Sequence, residues 1–489
     1  MSLAKKSYLR GRMEWIFAIY NVLAIVAMLH VLLDCRQPAK TVAWILVIYV
    51  VPVAGLLAYV LVGLNTRRKQ IISRRSLDQL SRRQMDAFLE QQAGRQQIEL
   101  PTRHESLINF FARQDGALPM PSRDVQVYSS GYEFFPALLH HIAQARHHIH
   151  IDMYIVEDDA LGRLLSDALI ARSRQGVEVR LIYDDVGSWN TSRHFFERLR
   201  MEGIEVCAFM PVRLPVFTRS VNYRNHRKLI VIDGQTAFVG GMNFALRYVK
   251  GRTQPWRDTM LRLTGAAAMT VQRAFFIDWY FVDNTLINHK RYYPSVAEGS
   301  QPASAAVILA QTVMHNPTSP MPVIEMGLLR VIMSARQYVY IQTPYFIPTE
   351  SILSALTYAA AAGVDVRLMV PLSSDAPFTD WASRSYLRQV AQAGVQVELY
   401  RGGFLHSKLL VADDDVCTIG SSNIDFRSLG NNFELNTFIY DREVALQVRQ
   451  LYLRDEQQSV FLARIRPRMR PRFAVRFIES VARLLAPLL

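Results

Sequence analysis

Two segments of the chain place a histidine and a lysine two residues apart, in front of an apolar run. The segments are NHRKLIVIDG, residues 225–234, and LHSKLLVADD, residues 405–414. Their paired residues are His226 with Lys228 and His406 with Lys408. Residues i and i+2 of a β-strand point to the same side, so each pair presents an imidazole beside an ammonium group. Because the spacing occurs twice, a shared chemical task explains it better than chance.

Other polar residues follow the two pairs at matching distances. Five residues after the lysines stand Asp233 and Asp413. Ten residues further on stand Asn243 and Asn423. The next strand-like segments open with Asp258 and Glu434. Asp233 is followed by glycine, a dipeptide typical of hairpin turns, and a hairpin would bring each asparagine back beside its His-Lys pair.

These residues supply the groups that a phosphodiester reaction needs. Ammonium and carboxamide groups donate hydrogen bonds to the non-bridging oxygens, and charge-assisted bonds contribute about 1.5–3 kcal/mol each. One imidazole can attack phosphorus, and another can protonate the leaving oxygen because histidine titrates near neutrality. A carboxylate behind an imidazole fixes its tautomer, and Asp258 and Glu434 are candidates for this role. The pattern therefore predicts a catalytic site rather than two solvated strand edges.

An internal repeat predicts the elements that position these residues. ARHHIHIDMYI from Ala145 parallels ARQYVYIQTPYF from Ala335, and QGVEVRLIYD from Gln175 parallels AGVDVRLMVP from Ala362. Each half is predicted to run strand, helix, strand, helix, strand and then the His-Lys hairpin. Strands separated by helices favour a mostly parallel core sheet. We expect an α/β fold of two tandem domains related by pseudo-two-fold symmetry, with equivalent edges meeting at a common interface.

The repeat also bears on a candidate metal site in the first half. His148, His150 and Asp152 alternate along one strand and therefore share a face. Their counterparts in the second half are Tyr338, Tyr340 and Gln342. A polar face that is exposed or lies at the interface explains both halves, so we expect no metal here.

Composition favours an anionic partner and a reducing compartment. The 489-residue chain carries a formal net charge of +14. This excess suits nucleic acid, phosphate substrates or an acidic membrane surface. The chain has only three cysteines, Cys35, Cys207 and Cys417, without metal-like spacing, which argues against a disulfide framework.

Two apolar runs near the N-terminus favour the membrane surface among these anionic partners. Trp15–Leu33 and Val42–Leu64 are each long enough to cross a hydrocarbon core of roughly 30 Å, and Pro52 would kink the second. Basic residues precede the first run and follow the second. The positive-inside rule therefore places both ends, and the catalytic domains, in the cytoplasm. Two buried core helices are the alternative.

These patterns divide the chain into five segments. They are a two-helix membrane hairpin at 1–64, a basic juxtamembrane linker at 65–119, α/β domains at 120–297 and 298–462, and a basic amphipathic tail at 463–489. The tail helix is predicted either to rest on the headgroup interface or to dock on the catalytic domain. The loop at 210–225 is predicted to be a lipid-entry lip, with an ordinary surface loop as the alternative.

The motifs HRKLIVID…GGMN and HSKLLVAD…GSSN resemble the paired HKD motifs of the phospholipase D superfamily. With the apolar runs and the segments AWILVIYVVPVAGLLAYVLVG and TPYFIPT, nearly the whole chain resembles the membrane-anchored cardiolipin synthases of bacteria. The resemblance implies two tandem phospholipase D-like domains in a multi-pass protein of the bacterial inner membrane. One departure is Gly241, where the superfamily often has serine. The lost hydroxyl should matter little if Asn243 supplies the phosphate contact.

The resemblance further implies phosphatidyl transfer by double displacement, with neither metal nor other cofactor. A histidine would take the phosphatidyl group from one phosphatidylglycerol and release glycerol, and a second phosphatidylglycerol would then displace the histidine to give cardiolipin. His226 is assigned as the nucleophile and His406 as general acid and then base, although the sequence alone does not decide between them. The phosphate would be held by Lys228, Lys408, Asn243 and Asn423. Asp233 and Asp413 belong to the HKD sets, but we expect them to be structural salt-bridge partners.

Other activities would use the same residues. A phospholipase D-type hydrolase would use water as acceptor, and another phosphatidyltransferase would differ only in its acceptor pocket. A nuclease suits the charge but not the apolar runs, so we expect no nucleic-acid partner. A non-catalytic membrane scaffold would leave two intact motifs without a role. The expected partners are anionic phospholipid substrates and the bilayer, and the oligomeric state is not predicted.

Overall fold

The computed structural model describes residues 3–34, 38–63, 100–212, 223–251, 253–287, 290–293, 307–465 and 473–486. The linker up to residue 99 and most of the predicted lipid-entry lip lie outside these ranges. The first eight strands are β1 (Met120–Ser122), β2 (Val125–Tyr128), β3 (His148–Met153), β4 (Glu178–Asp184), β5 (Glu205–Phe209), β6 (Lys228–Ile232), β7 (Thr236–Gly240) and β8 (Met260–Thr264). The later strands are β9 (Ile308–His315), β10 (Tyr338–Gln342), β11 (Phe346–Ile347), β12 (Asp365–Pro371), β13 (Gln396–Tyr400), β14 (Leu409–Ala412), β15 (Val416–Gly420), β16 (Ile424–Asp425), β17 (Glu434–Tyr440) and β18 (Ser459–Phe461).

The two halves share one strand order, which confirms the predicted repeat. The first sheet runs β2-β8-β7-β6-β3-β4-β5, and the second runs β9-β17-β15-β14-β10-β12-β13, with β1 and β18 added at its edges. The prediction of mostly parallel sheets is wrong. Among the described strands of each main sheet, only the β3-β4-β5 and β10-β12-β13 neighbours are parallel. The His-Lys strands β6 and β14 run antiparallel to both of their neighbours, and short turns such as Asp233–Gly234 require this only for the pairs β6-β7 and β14-β15.

Most of the described helices cover these sheets, and several begin at a side chain that caps them. They are α1 (Leu3–Asp34), α2 (Pro38–Val50), α3 (Ala54–Ala58), α4 (Glu105–Asp115), α5 (Gly131–Gln144), α6 (Ala160–Ser173), α7 (Arg193–Met201), α8 (Ala266–Asp283), α9 (Val323–Ser334), α10 (Glu350–Ala361), α11 (Pro377–Gln392), α12 (Phe426–Gly430), α13 (Arg442–Glu456), α14 (Leu462–Ile465) and α15 (Phe473–Leu485). Side chains accepting a first-turn backbone N–H include Ser130, Asp159, Ser192, Thr349 and Asp441. Such a cap stabilises a helix by about 1 kcal/mol.

A single apolar core joins the two halves. It includes Leu229 and Trp279 from the first half and Leu409 and Tyr452 from the second. Helix α8 packs on strands of the first sheet and also contacts β9 of the second. The halves therefore form one continuous body, and their facing edges are held in a fixed relation.

The polar face of β3 is buried against helix α8 of its own half rather than exposed to solvent. His148 and His150 are buried, and both bond to Gln272 of α8, at 2.9 Å and 2.7 Å respectively. Asp152 accepts hydrogen bonds from Nδ2 of Asn225 at 2.7 and 2.9 Å. Of the two alternatives considered from the sequence, an exposed face is wrong, and the side chains that cover this face come from the first half itself.

The N-terminal helices form a small bundle with its own apolar core. Helix α1 packs against α2 and α3 around a core that includes Ala27, Val31, Trp44, Ile48 and Tyr59. Other large apolar side chains of the bundle are exposed, among them Trp15, Phe17, Leu33, Tyr49 and Val50. Pro52 lies in the break between α2 and α3, where a kink was expected. Over the ranges that the structure describes, no helix combines the length and the apolar character needed to cross a membrane.

The tail helix α15 docks on the catalytic domain, against α11, through Glu479, Arg483 and the buried alanines Ala482 and, just after the helix, Ala486. Glu479 is buried and forms an ion pair with Arg388, and the guanidinium of Arg483 lies 4.4 Å from the ring centroid of Tyr386. The apolar side chains that remain exposed include Phe473, Phe477, Ile478 and Leu484. Docking, one of the two predicted alternatives, thus leaves the apolar side of the helix facing outward.

Candidate active site

Two β-bridges between the halves assemble the site. They join Asn225 to Phe433 and Arg257 to Leu405. The backbone N–H of His226 donates to the carbonyl of Phe433 at 2.9 Å, and that of His406 donates to the carbonyl of Arg257 at 2.7 Å. Since Glu434 and Asp258 directly follow the bridged residues, each histidine meets the acidic residue of the opposite half.

The histidine–carboxylate pairs are consequently crossed. Nδ1 of His226 lies 3.0 and 3.1 Å from the carboxylate oxygens of Glu434, and Nδ1 of His406 lies 2.6 Å from Oδ2 of Asp258. Such reciprocity is what two-fold-related halves produce. An Nδ1–H that donates to a carboxylate leaves the Nε2 lone pair of each imidazole available for chemistry.

Both lysines lie beside their histidines, as predicted, although His226, His406 and Lys408 precede the strands β6 and β14. Nζ of Lys228 donates to the carbonyl of His226 at 2.5 Å and lies 4.9 Å from the ring centroid of Tyr154. Nζ of Lys408 lies 2.8 Å from Nδ1 of His406 and 3.8 Å from Oδ2 of Asp258. Both ammonium groups are buried, so an anion that enters the site meets them with little screening by water.

Burial sets the protonation states of the imidazoles. It lowers the pKa of His226 to about 4 and that of His406 to about 3, and the neighbouring carboxylates only partly oppose this. Burial alone would raise the pKa values of Asp258 and Glu434, but the cationic neighbours outweigh it and the net shift is downward. Near neutrality the imidazoles are therefore uncharged and the carboxylates ionised, which is the state a nucleophilic histidine requires.

We predict an alkaline limb in the pH profile of kcat/KM from Lys408. Burial lowers the pKa of this lysine to about 8, despite the opposing carboxylates of Asp258 and Glu434. The ammonium is present below that pH and is lost above it, so attraction for an anionic substrate falls as the pH rises through about 8. The measurement is kcat/KM between pH 5 and about 10. In Lys408→Arg the residual activity should lack this limb, because arginine stays protonated. An identical limb in that variant would assign it to another group.

The two asparagines border the site in different bonding states. Asn243 accepts from the N–H of Ile155 at 3.1 Å and donates to the hydroxyl of Tyr248 at 2.9 Å. That hydroxyl lies 3.4 Å from Nδ1 of His406. Asn423 is buried, and within the described parts of the chain its Oδ1 has no hydrogen-bond partner. Asn243 is thus partly committed to the scaffold, whereas Asn423 retains an unused acceptor.

Asp233 and Asp413 lie at the other end of the His-Lys strands. At about 3.3 Å per residue, seven positions separate each of them from its histidine by roughly 20 Å. Asp233 accepts from the backbone N–H groups of Arg146, His147 and His148. Asp413 accepts from those of Arg336, Gln337 and Tyr338, and it also pairs with Arg103. Both carboxylates anchor the turn before β3 or β10, and the expected salt bridge is present at Asp413.

Residues behind the carboxylates escaped the sequence analysis. Ser421 donates from Oγ to Glu434 at 2.5 Å, and Asn432 donates from Nδ2 to the same carboxylate at 3.2 Å. At the equivalent position of the first half, a Cβ on Gly241 would collide with the carboxylate of Asp258. Aspartate is one methylene shorter than glutamate, so the backbone approaches it more closely, and only glycine leaves the space. The sequence did contain a signal for these contacts: the half with Ser421 has a glutamate, Glu434, and the half with Gly241 has an aspartate, Asp258.

Aromatic rings flank the imidazoles, and they too were missed. The ring centroid of Tyr154 lies 4.9 Å from that of His226, and the ring of Trp256 lies 5.3 Å from that of His406. These rings take part in burying the histidines, and burial is the largest cause of their lowered pKa values.

Two tandem α/β units that share one pair of His-Lys motifs define a phospholipase D-like protein. A family model described as "Cardiolipin synthase, PLD-like domain" matches residues 138–275 and 328–455. A second, described as "Phospholipase_D-nuclease N-terminal", matches residues 22–63. The chain belongs to the cardiolipin synthase family.

Similar curated proteins extend over almost the whole chain. Cardiolipin synthase 2 of Bacillus anthracis is 37% identical over 477 residues, which cover 96% of this chain and 91% of that protein. Cardiolipin synthase of Alkalihalophilus pseudofirmus is 35% identical over 491 residues, covering 99% and 96%. The crystal structure of phosphatidylserine synthase from Haemophilus influenzae superposes with a TM-score of 0.62 at 15% identity, covering 79% of this chain and 100% of that one. This last match concerns the fold alone.

Proposed function

We propose that the protein is a cardiolipin synthase that transfers a phosphatidyl group from one phosphatidylglycerol to another, with cardiolipin and glycerol as products. The observation that carries the proposal is the crossed pair of histidine–carboxylate contacts, His226 with Glu434 and His406 with Asp258. Two oriented imidazoles at one site suit a double displacement. The near full-length relatives named cardiolipin synthases support this choice of reaction.

In the first displacement His226 is the nucleophile. Its Nε2 attacks phosphorus, a P–N bond forms, and the P–O bond to the headgroup glycerol breaks. His406 gives a proton to the departing oxygen, so that glycerol leaves as the neutral alcohol. His406 carries that proton because the bound phosphodiester anion favours the charged imidazolium and offsets the effect of burial.

In the second displacement the roles of proton donor and acceptor reverse. A hydroxyl of a second phosphatidylglycerol attacks the phosphohistidine, and His406 takes the proton of that hydroxyl. The P–N bond breaks, the new P–O bond completes cardiolipin, and His226 is regenerated. Throughout, the non-bridging oxygens are held by Lys228, Lys408, Asn243 and Asn423.

The reaction is tested with the purified full-length protein in mixed micelles of phosphatidylglycerol, in the presence of EDTA. Mass spectrometry of the lipids and assay of free glycerol give the products. Cardiolipin with released glycerol supports the transferase. Phosphatidic acid as the main product would instead make the protein a hydrolase with the same site.

We further propose that the N-terminal bundle is inserted in the bacterial inner membrane as a hairpin, with the catalytic domains on the cytoplasmic side. Its support is the set of exposed apolar side chains on α1 and α2, which water would solvate poorly. The basic residues that flank both runs favour this orientation. The phospholipid substrates also reside in the bilayer.

The outward face of α15 is proposed to rest on the same bilayer. We predict that Phe477→Ser with Ile478→Ser lowers activity on phosphatidylglycerol vesicles by at least about a hundredfold, because each lost apolar contact costs about 1.5–3 kcal/mol of burial. Activity in detergent micelles should change little. The matched control replaces two exposed apolar residues of the first half, Leu164→Ser with Met201→Ser. Equal losses on vesicles and micelles would contradict the proposed bilayer contact.

A further inference from the structure

A groove opens in the second half between the end of β12 and helix α11. It encloses about 680 Å³, part of which is open to solvent. The side chains that line it include the hydroxyl-bearing Tyr345, Ser374 and Thr379 and the apolar Val370, Leu387 and Leu399. Its mixed lining of hydroxyl-bearing and apolar side chains suits an amphiphilic molecule.

The hydroxyl-lined part of the groove adjoins the catalytic centre. At the end of β10, Gln342 pairs with Leu409, which directly follows Lys408. Tyr345 comes three residues later, and its hydroxyl donates to Asp375 at 2.7 Å. Burial lowers the pKa of Lys408, and Asp258 and Glu434 oppose it most strongly. The charge of Asp375 raises the same pKa by a smaller amount, so Asp375 lies close enough to Lys408 to act on it. A molecule in the groove would therefore lie next to the second His-Lys pair.

The corresponding place in the first half is closed. In the loop that follows β4, the N–H groups of Val186 and Gly187 donate to Asp184, and the N–H of Val156 donates to Ser188 Oγ at 3.1 Å. A Cβ on Gly187 would collide with Tyr154, which shows how tightly this loop packs. Both halves contribute equivalent phosphate-binding groups. The groove has no equivalent in the loop after β4, so we assign it to one of the two substrates rather than to both.

The groove also reaches the outward-facing tail helix. Arg388 lines the groove and forms the buried ion pair with Glu479 of α15. The apolar side of α15 is exposed, notably at Phe477 and Ile478. The groove thus runs from the docked side of α15 toward the second His-Lys pair.

We propose that this groove binds the acceptor phospholipid, with the glycerol headgroup at the hydroxyl-lined end beside His406 and the start of the acyl chains along the apolar floor. The ligand class is an anionic phospholipid with a polyol headgroup. The inference rests on the proposed transferase function and adds where its second substrate is held.

The test blocks the groove without altering the catalytic residues. Ser383 lies half-buried on the groove side of α11, and Ser383→Trp would fill the space. Gln389→Trp places the same ring on an exposed position of the same helix and is the matched control. Purified full-length protein receives phosphatidylglycerol labelled in the headgroup, and released glycerol, cardiolipin and phosphatidic acid are all quantified. We expect Ser383→Trp to lower the ratio of cardiolipin to phosphatidic acid by about tenfold or more, since water replaces the excluded acceptor.

A second variant guards against misfolding. Tyr345→Phe keeps the ring and removes only the hydroxyl, and it should lower the same ratio by about threefold to tenfold, the cost of one hydrogen bond. Wild-type ratios in both variants would overturn the groove as the acceptor site. Wild-type protein that yields phosphatidic acid but no cardiolipin would instead overturn the proposed function itself.

Discussion

We expect turnover to be abolished in His226→Ala. The variant lacks the nitrogen that would form the P–N bond, and no other group takes its place, because His406 is tied to Asp258 on the opposite side of the site. Loss of a nucleophile that acts within a catalytic unit costs at least about 10⁴-fold in kcat. The measurement is cardiolipin formed from phosphatidylglycerol by purified His226→Ala protein.

The control for this prediction is His140→Ala, which removes an exposed histidine from α5 and should keep wild-type activity. Thermal melting of both variants checks that the fold is intact. Phosphatidylglycerol labelled with ³²P then tests the assignment of roles. His406→Ala protein should retain label on His226, since its second displacement lacks a base. Covalent label on His226→Ala protein would show that His406 is the nucleophile and His226 the acid and base. Near-normal turnover by that variant would contradict the proposed mechanism.

Much of the architecture was readable from local patterns. The β-branched run Leu229–Ile232 and the turn that follows it required a buried hairpin strand, and the structure contains one. The repeated segments required two similar halves, and their strand orders agree. The spacing of two residues also predicted that each lysine lies beside its histidine, although both histidines precede the strands β6 and β14. The direction of the strands could not be predicted in the same way, because the antiparallel pairing of β6 with β3 and of β14 with β10 depends on tertiary packing.

The site could be predicted as a set of residues but not as a set of pairs. Asp258 and Glu434 were candidates for orienting the imidazoles, yet nothing in the sequence states which histidine each would meet. That depends on the two bridges between halves, which join residues 208 and 148 positions apart. The role of Gly241 was hidden for the same reason. A glycine needed for close approach to a carboxylate looks like a missing serine until the carboxylate has been placed.

The crossed pairing makes a second prediction of large effect. We expect Glu434→Gln to slow formation of the phosphohistidine by about 10²–10⁴-fold, because the amide no longer stabilises the charge that develops on His226. Asp258→Asn should slow both protonation of the leaving glycerol and the second displacement by a similar factor, because both steps depend on His406. Rapid-quench measurement of bound ³²P, followed by its release to excess phosphatidylglycerol, separates the two displacements.

The matched control is Glu325→Gln, which changes a mostly buried glutamate away from the histidines, one that accepts a hydrogen bond from Thr349. It should leave both displacements unchanged. Adding Glu434→Gln to His226→Ala should cost no further activity, since residues that act through one another are not additive. Release that slows in Glu434→Gln while phosphohistidine forms at the wild-type rate would contradict the crossed assignment. If the prediction holds, neither half contains a complete catalytic unit, since each histidine depends on a carboxylate from the other half. A single half cut from this chain would then hold a histidine, a lysine and an asparagine, but no oriented imidazole.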